Sequence, residues 1–102
     1  MKFLEKTLEI NPRDIDAYKT FASILLSVQR ADLAIQKIEN AIDALPELVD
    51  LHYILGQIYR VNKEYSEAIK EYKIALADSD NLQVPVDKVK KELNALIKQN
   101  VS

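Results

Sequence analysis

Residues 50–76, DLHYILGQIYRVNKEYSEAIKEYKIAL, decide how the rest of the chain is read. Apolar and small residues recur at helical spacing on both sides of the polar stretch Asn62, Lys63 and Glu64. The segment therefore reads as two amphipathic helices joined by a short turn. Its fixed points are Leu55, Gly56, Tyr59, Ala68, Tyr72 and Ala75. A helix pair this short cannot bury its apolar faces alone, so it requires neighbours of the same kind. Moving each fixed point back by 34 positions returns Phe21, Ala22, Leu25, Ala34, Ile38 and Ala41, apolar for apolar and small for small. Two units are predicted, 15–48 and 49–82.

Identity between the units is sparse, confined to Asp16/Asp50, Ile24/Ile58, Ala34/Ala68, Ile35/Ile69, Ala41/Ala75 and Leu48/Leu82. What repeats is packing and not chemistry. A further step of 34 back from Ile38 and Pro46 lands on Leu4 and Pro12, so residues 1–14 read as the second helix of a preceding partial unit. The outer flank of that helix, with Phe3, Leu4 and Leu8, lacks a partner in the sequence. It marks either a fragment of a longer array or an edge for self-association as a homodimer.

The period, the aromatic followed by Leu-Gly and Tyr in YILGQIY, the Tyr65-x-x-Ala68 that opens the second helix, Tyr72, Ala75 and the inter-repeat Pro46 resemble the tetratricopeptide repeat. The resemblance covers nearly the whole chain. It implies an all-α fold of about six helices, in antiparallel pairs stacked as a right-handed superhelix. It also implies a non-catalytic scaffold that holds a peptide or amphipathic helix of another protein in a concave groove. Three features depart from the pattern: His52 stands where Trp or Tyr is usual, Asp80 where Pro is usual, and neither turn within a repeat contains glycine.

Composition points the same way. The chain has 102 residues, one Gly and three Pro, with abundant Ala, Leu, Ile, Lys and Glu, which favours one all-α domain. With no cysteine there is no disulfide framework and no thiolate chemistry, a composition compatible with a reducing, cytoplasmic setting. No apolar run approaches the length of a membrane span, and no export-like apolar block follows Met1. A net charge of −2 argues against general binding to nucleic acid.

Asp14 is the expected cap of a helix over 14–28, and Asp32 and Ser66 are expected to accept amides at the start of helices over 31–45 and 65–78. Gly56, the only glycine, lies inside a helix, where it costs roughly 1 kcal/mol relative to alanine. Its place there is best explained by close helix approach. Residues 77–84 form a polar linker; Asp78 and Asp80 begin like a calcium loop, but Leu82, Gln83 and Val89 fail the positions that would complete one. From Pro85 a last helix gathers Val86, Val89, Leu93, Leu96 and Ile97 on one face. Lys90 occupies the repeat's small position, so residues 83–102 are expected to cap the stack.

No cofactor, metal or catalytic role is expected. The single histidine, His52, falls at a packing position, and several glycines would be needed to cradle a phosphate. Recognition then falls to the side of each first helix that faces away from Leu51, Leu55 and Tyr59. The candidate partner-binding residues there are Lys19, Ser23, Tyr53, Ile54, Gln57 and Arg60, joined by Lys88 of the last helix. Members of the resembled family that clamp an acidic chaperone C-terminus use Lys and Asn on the first helix and Asn on the next unit. Here Lys19 fits that pattern, while Ser23 and Ile54 stand where the asparagines would be. With Leu26 and Val61 nearby, the face reads as a mixed groove for an amphipathic or apolar segment.

Overall fold

The computed structural model describes residues 6, 7, 10, 11 and 13–101. Among these there are five α-helices and no strand: α1 (Ile15–Ser27), α2 (Ala31–Ala44), α3 (Asp50–Val61), α4 (Tyr65–Ala77) and α5 (Val86–Val101). A 3-10 turn, Ser79–Asn81, precedes the last helix. The all-α expectation holds. The helix expected over 1–14 lies largely outside the described residues, as do Phe3, Leu4 and Leu8 of its apolar edge. None of the described helices is long and apolar enough to cross a membrane.

Asp14 caps α1 as its position requires, its side chain accepting from the amide of Ala17 at 3.1 Å. Asp32 and Ser66, expected to cap the second helices, do not. The helices α2 and α4 begin behind Arg30 and Glu64, with no side-chain cap hydrogen bond at either. The reason lies in the turns. Gln29 and Lys63 both take left-handed backbone, with φ of 60° and 64°. The amides that follow, Arg30 and Glu64, donate five residues back to Leu25 and Tyr59, each at 2.8 Å. Gln29 and Lys63 themselves donate to Leu26 and Arg60, each at 3.0 Å. This backbone arrangement closes α1 and α3 and leads straight into the next helix, leaving Asp32 and Ser66 inside its first turn.

Consecutive helices pack on one another, and α1 also packs on α3. The helix α3 is common to both apolar clusters. Leu51, Ile54, Leu55 and Ile58 join Phe21, Ala22, Leu25 and Ile38 of α1 and α2. Val49 and Tyr53 join Ala68, Tyr72, Ala75, Val89 and Leu96 from the α4 and α5 side. Gly56 lets α3 and α4 approach closely: a Cβ there would come within 2.4 Å of Cδ1 and Cε1 of Tyr72.

Tyr53 and Ile54, expected on the face of α3 turned away from Leu51 and Leu55, share the start of that helix with Asp50. All three are buried. A helical wheel separates two sides of α3, but α3 is flanked on more than two. The carboxylate of Asp50 accepts from the amide of Gln83 at 2.9 and 3.2 Å and from that of Val84 at 3.0 Å. It thereby ties the linker ahead of α5 to the start of α3. The hydrogen bonds of this set span 33 or 34 residues.

Candidate partner-binding groove

The helices α1 and α3 run side by side and leave a groove of about 260 Å³ between them. From α1 it is lined by Lys19, Ala22, Ser23 and Leu26; from α3 by Ile54, Gln57, Ile58, Arg60 and Val61. The spacing on each helix follows from one face turning every three to four residues. Small Ala22 keeps the floor open, buried Ile54 and Ile58 form it, and Leu26 and the exposed Val61 stand at its lip. Lys19 also borders a second, more polar depression of about 470 Å³ at the N-terminal ends of α1 and α3, where Lys88 of α5 reaches the same wall.

Five of the seven predicted residues, Lys19, Ser23, Ile54, Gln57 and Arg60, thus line one groove, and Lys88 lies in the depression that adjoins it. Ile54 is only 1% exposed and serves as the base of the groove, not as a wall. Tyr53 lines neither cavity. It is fully buried on the opposite flank of α3, its ring stacked on that of Tyr72 with centroids 5.4 Å apart.

A partly buried polar cluster lies behind the groove. The hydroxyl of Tyr53 donates to Oε2 of Glu92 on α5, and that of Tyr72 donates to Oε1 at 3.1 Å. Arg60 approaches the same Oε1 at 3.3 Å. Gln57 donates to the Tyr53 hydroxyl at 3.0 Å and to Glu92 Oε1 at 3.4 Å. Burial, followed by the hydrogen bond and charge of Glu92, pushes the Tyr53 hydroxyl well above the ordinary tyrosine range; burial and the charge of Glu92 do the same to Tyr72. Both phenols therefore remain donors at neutral pH. Gln57 and Arg60 belong to two places at once, facing the groove and holding the carboxylate behind it.

Glu92 and Tyr72 were not among the residues singled out as functional. A signal for Glu92 was present: it lies 34 residues after Ile58, which itself lies 34 after Ile24, and so sets a charge where the predicted period places isoleucine. His52 sits on another side, half-buried, with its Nδ1–H donating to Glu71 Oε1 at 2.8 Å beside Glu39 and Asp43.

No protein-family model matches the chain, and a comparison with curated proteins finds no match.

Proposed function

We propose that this chain is a non-catalytic protein-binding module of the tetratricopeptide kind, its helix pairs stacked as a right-handed superhelix, and that it holds a segment of another protein between α1 and α3. The observation that carries this reading is the groove itself, an apolar floor bordered by the exposed Ser23 and the half-buried Lys19, Gln57 and Arg60, built from what read as equivalent helices of successive units. Such a surface suits a peptide or helix that inserts an apolar anchor and leaves its polar face wet. Further support for the family comes from recurrence at one repeat length: the left-handed turns at Gln29 and Lys63, the Arg13 to Glu47 ion pair, the Asp50 to Val84 hydrogen bond and the Tyr65 to Gln99 hydrogen bond.

Site-specific photo-crosslinking in an extract of the source cells tests the reading. A benzophenone side chain at exposed Ser23 or Val61 is expected to capture a partner that the same group at exposed Ile74, on α4, does not. Capture of the same proteins from all three positions would count against the groove.

A further inference from the structure

The charge of the groove is hidden by the composition of the chain. Overall the protein carries −2, yet the groove is lined by two cations, Lys19 and Arg60, and by no carboxylate. Acidic side chains gather elsewhere: Glu39, Glu71, Glu67 and Glu64 surround Tyr59 and, after burial itself, help to raise its hydroxyl. Lys19 is half-buried and makes no ion pair among the described residues. It also borders the adjoining depression, whose wall includes Asp14, Asp16 and Asp50, but none of these carboxylates forms an ion pair with it. Arg60 differs, because Glu92 already holds one edge of its guanidinium. Its side chain is nonetheless 39% exposed, and a guanidinium has donors to spare for a second carboxylate.

We propose that the groove takes an apolar segment bearing carboxylates, and that Glu92 of α5 is an internal competitor for it: one carboxylate of the partner pairs with Lys19, and another displaces Glu92 from Arg60. This rests on the groove being the partner site. The apolar requirement comes from Leu26 and Val61 at the lip and from the isoleucine floor; the acidic requirement comes from Lys19, which makes no ion pair among the described residues, and from Arg60, whose side chain stays 39% exposed beside Glu92. The competition follows from geometry, since Arg60 and Gln57 are the two residues shared by the groove and the cluster that seats α5 on α3 and α4.

Linkage gives the competition a sign. If the partner and Glu92 contend for one guanidinium, binding weakens the hold on α5, and by reciprocity whatever weakens Glu92 as a ligand strengthens binding. Glu92→Gln keeps the shape and an acceptor for the tyrosine hydroxyls while removing the charge. It is outside the groove and is expected to tighten acidic peptides by about tenfold, the scale of one charge-assisted hydrogen bond. Lys19→Gln is expected to weaken them by a similar factor. A purely structural Glu92 gives the opposite result, because a loosened α5 can only blur the groove.

The experiment pans a display library of random peptides, each about a dozen residues long, on the full chain, and measures the retained sequences by titration against wild type, Lys19→Gln, Glu92→Gln and Ser23→Arg, with circular dichroism to check each fold. Amide hydrogen exchange of the wild type with and without a retained peptide follows α5 directly. Expected are sequences rich in Asp and Glu beside large apolar residues, tighter binding to Glu92→Gln, weaker binding to Lys19→Gln, and faster exchange in α5 on binding. Retained peptides that Ser23→Arg excludes but that show no acidic enrichment would overturn this proposal and leave the groove standing. Acidic peptides whose affinity is unchanged or reduced by Glu92→Gln, or that slow exchange in α5, would overturn the competition. If nothing is retained, or if Ser23→Arg has no effect, the groove and the proposal fall together; a concentration-dependent dimer dissolved by Lys19→Gln would replace the foreign partner with a second copy of the chain.

Discussion

The ring of Tyr72 lies against Gly56 so closely that a Cβ on residue 56 would stand 2.4 Å from two of its carbons. The ring cannot swing away, being fully buried, stacked on Tyr53 and hydrogen-bonded to Glu92. Two effects oppose each other in Gly56→Ala. Helix propensity favours alanine by roughly 1 kcal/mol, whereas forcing apart a packed crossing costs about 1–3 kcal/mol. The steric cost wins here because the ring is held from several sides. Thermal unfolding should show Gly56→Ala less stable than wild type, and Gly56→Ala with Tyr72→Leu should recover part of the loss. An alanine variant more stable than wild type would show that the crossing relaxes freely.

Glycine is wanted where the chain does not have it. Gln29 and Lys63 are exposed and hold φ near +60°, a conformation that costs a residue with a Cβ about 1–2 kcal/mol relative to right-handed backbone. Glycine removes that cost but loses more entropy on folding, so the net gain expected is about 0.5–1 kcal/mol at each site. Gln29→Gly and Lys63→Gly should each raise Tm by a few degrees, and because the sites belong to different turns their effects should add. Alanine at either site should give no such gain.

The buried carboxylate of Asp50 answers two amides of the linker, those of Gln83 and Val84. In Asp50→Ala both amides lose their acceptor within a partly dry site, at a cost of about 2–4 kcal/mol. Asp50→Asn retains one acceptor oxygen and should cost less. Native-state hydrogen exchange checks the assignment: the amides of residues 83 and 84 should lose protection before those within α1 and α2. Equal loss across the molecule would mean that Asp50 supports the whole stack and not this junction.

Stability should fall in alkali for a specific reason. Tyr53 and Tyr72 are held neutral in the folded chain above the pH at which an unfolded tyrosine ionises, about 10. Below that pH both states are protonated at these sites and their contribution is complete. Above it the unfolded chain releases the protons while the folded chain keeps them, so stability declines as pH rises toward the raised folded values. Denaturant melts at increasing pH should show the decline beginning near pH 10, and absorbance titration of the native protein should find two of the five tyrosines silent until it unfolds. Replacing both by phenylalanine should flatten the alkaline slope that they cause.

The helices α1 to α4, the turns within each pair, the Asp14 cap and the reason for Gly56 are legible in the sequence, because each depends on residues within one or two helical turns or on the spacing of apolar and small residues along a helix face. The same periodicity brought Lys19, Ser23, Gln57 and Arg60 to one groove, since equivalent positions on stacked helices fall on one side. What depended on three dimensions was the fate of Tyr53. On a wheel it shares a face with Gln57 and Arg60, but α5 covers it, and its hydroxyl meets a carboxylate 39 residues away. The left-handed backbone of Gln29 and Lys63 was equally hidden, because neither residue type favours it and only the closing hydrogen bonds impose it. Local pattern determines which residues make a helix and which of its faces is apolar. How many neighbours that helix has, and therefore which polar residues are drawn inside and which are left at the rim, is decided only when the helices meet.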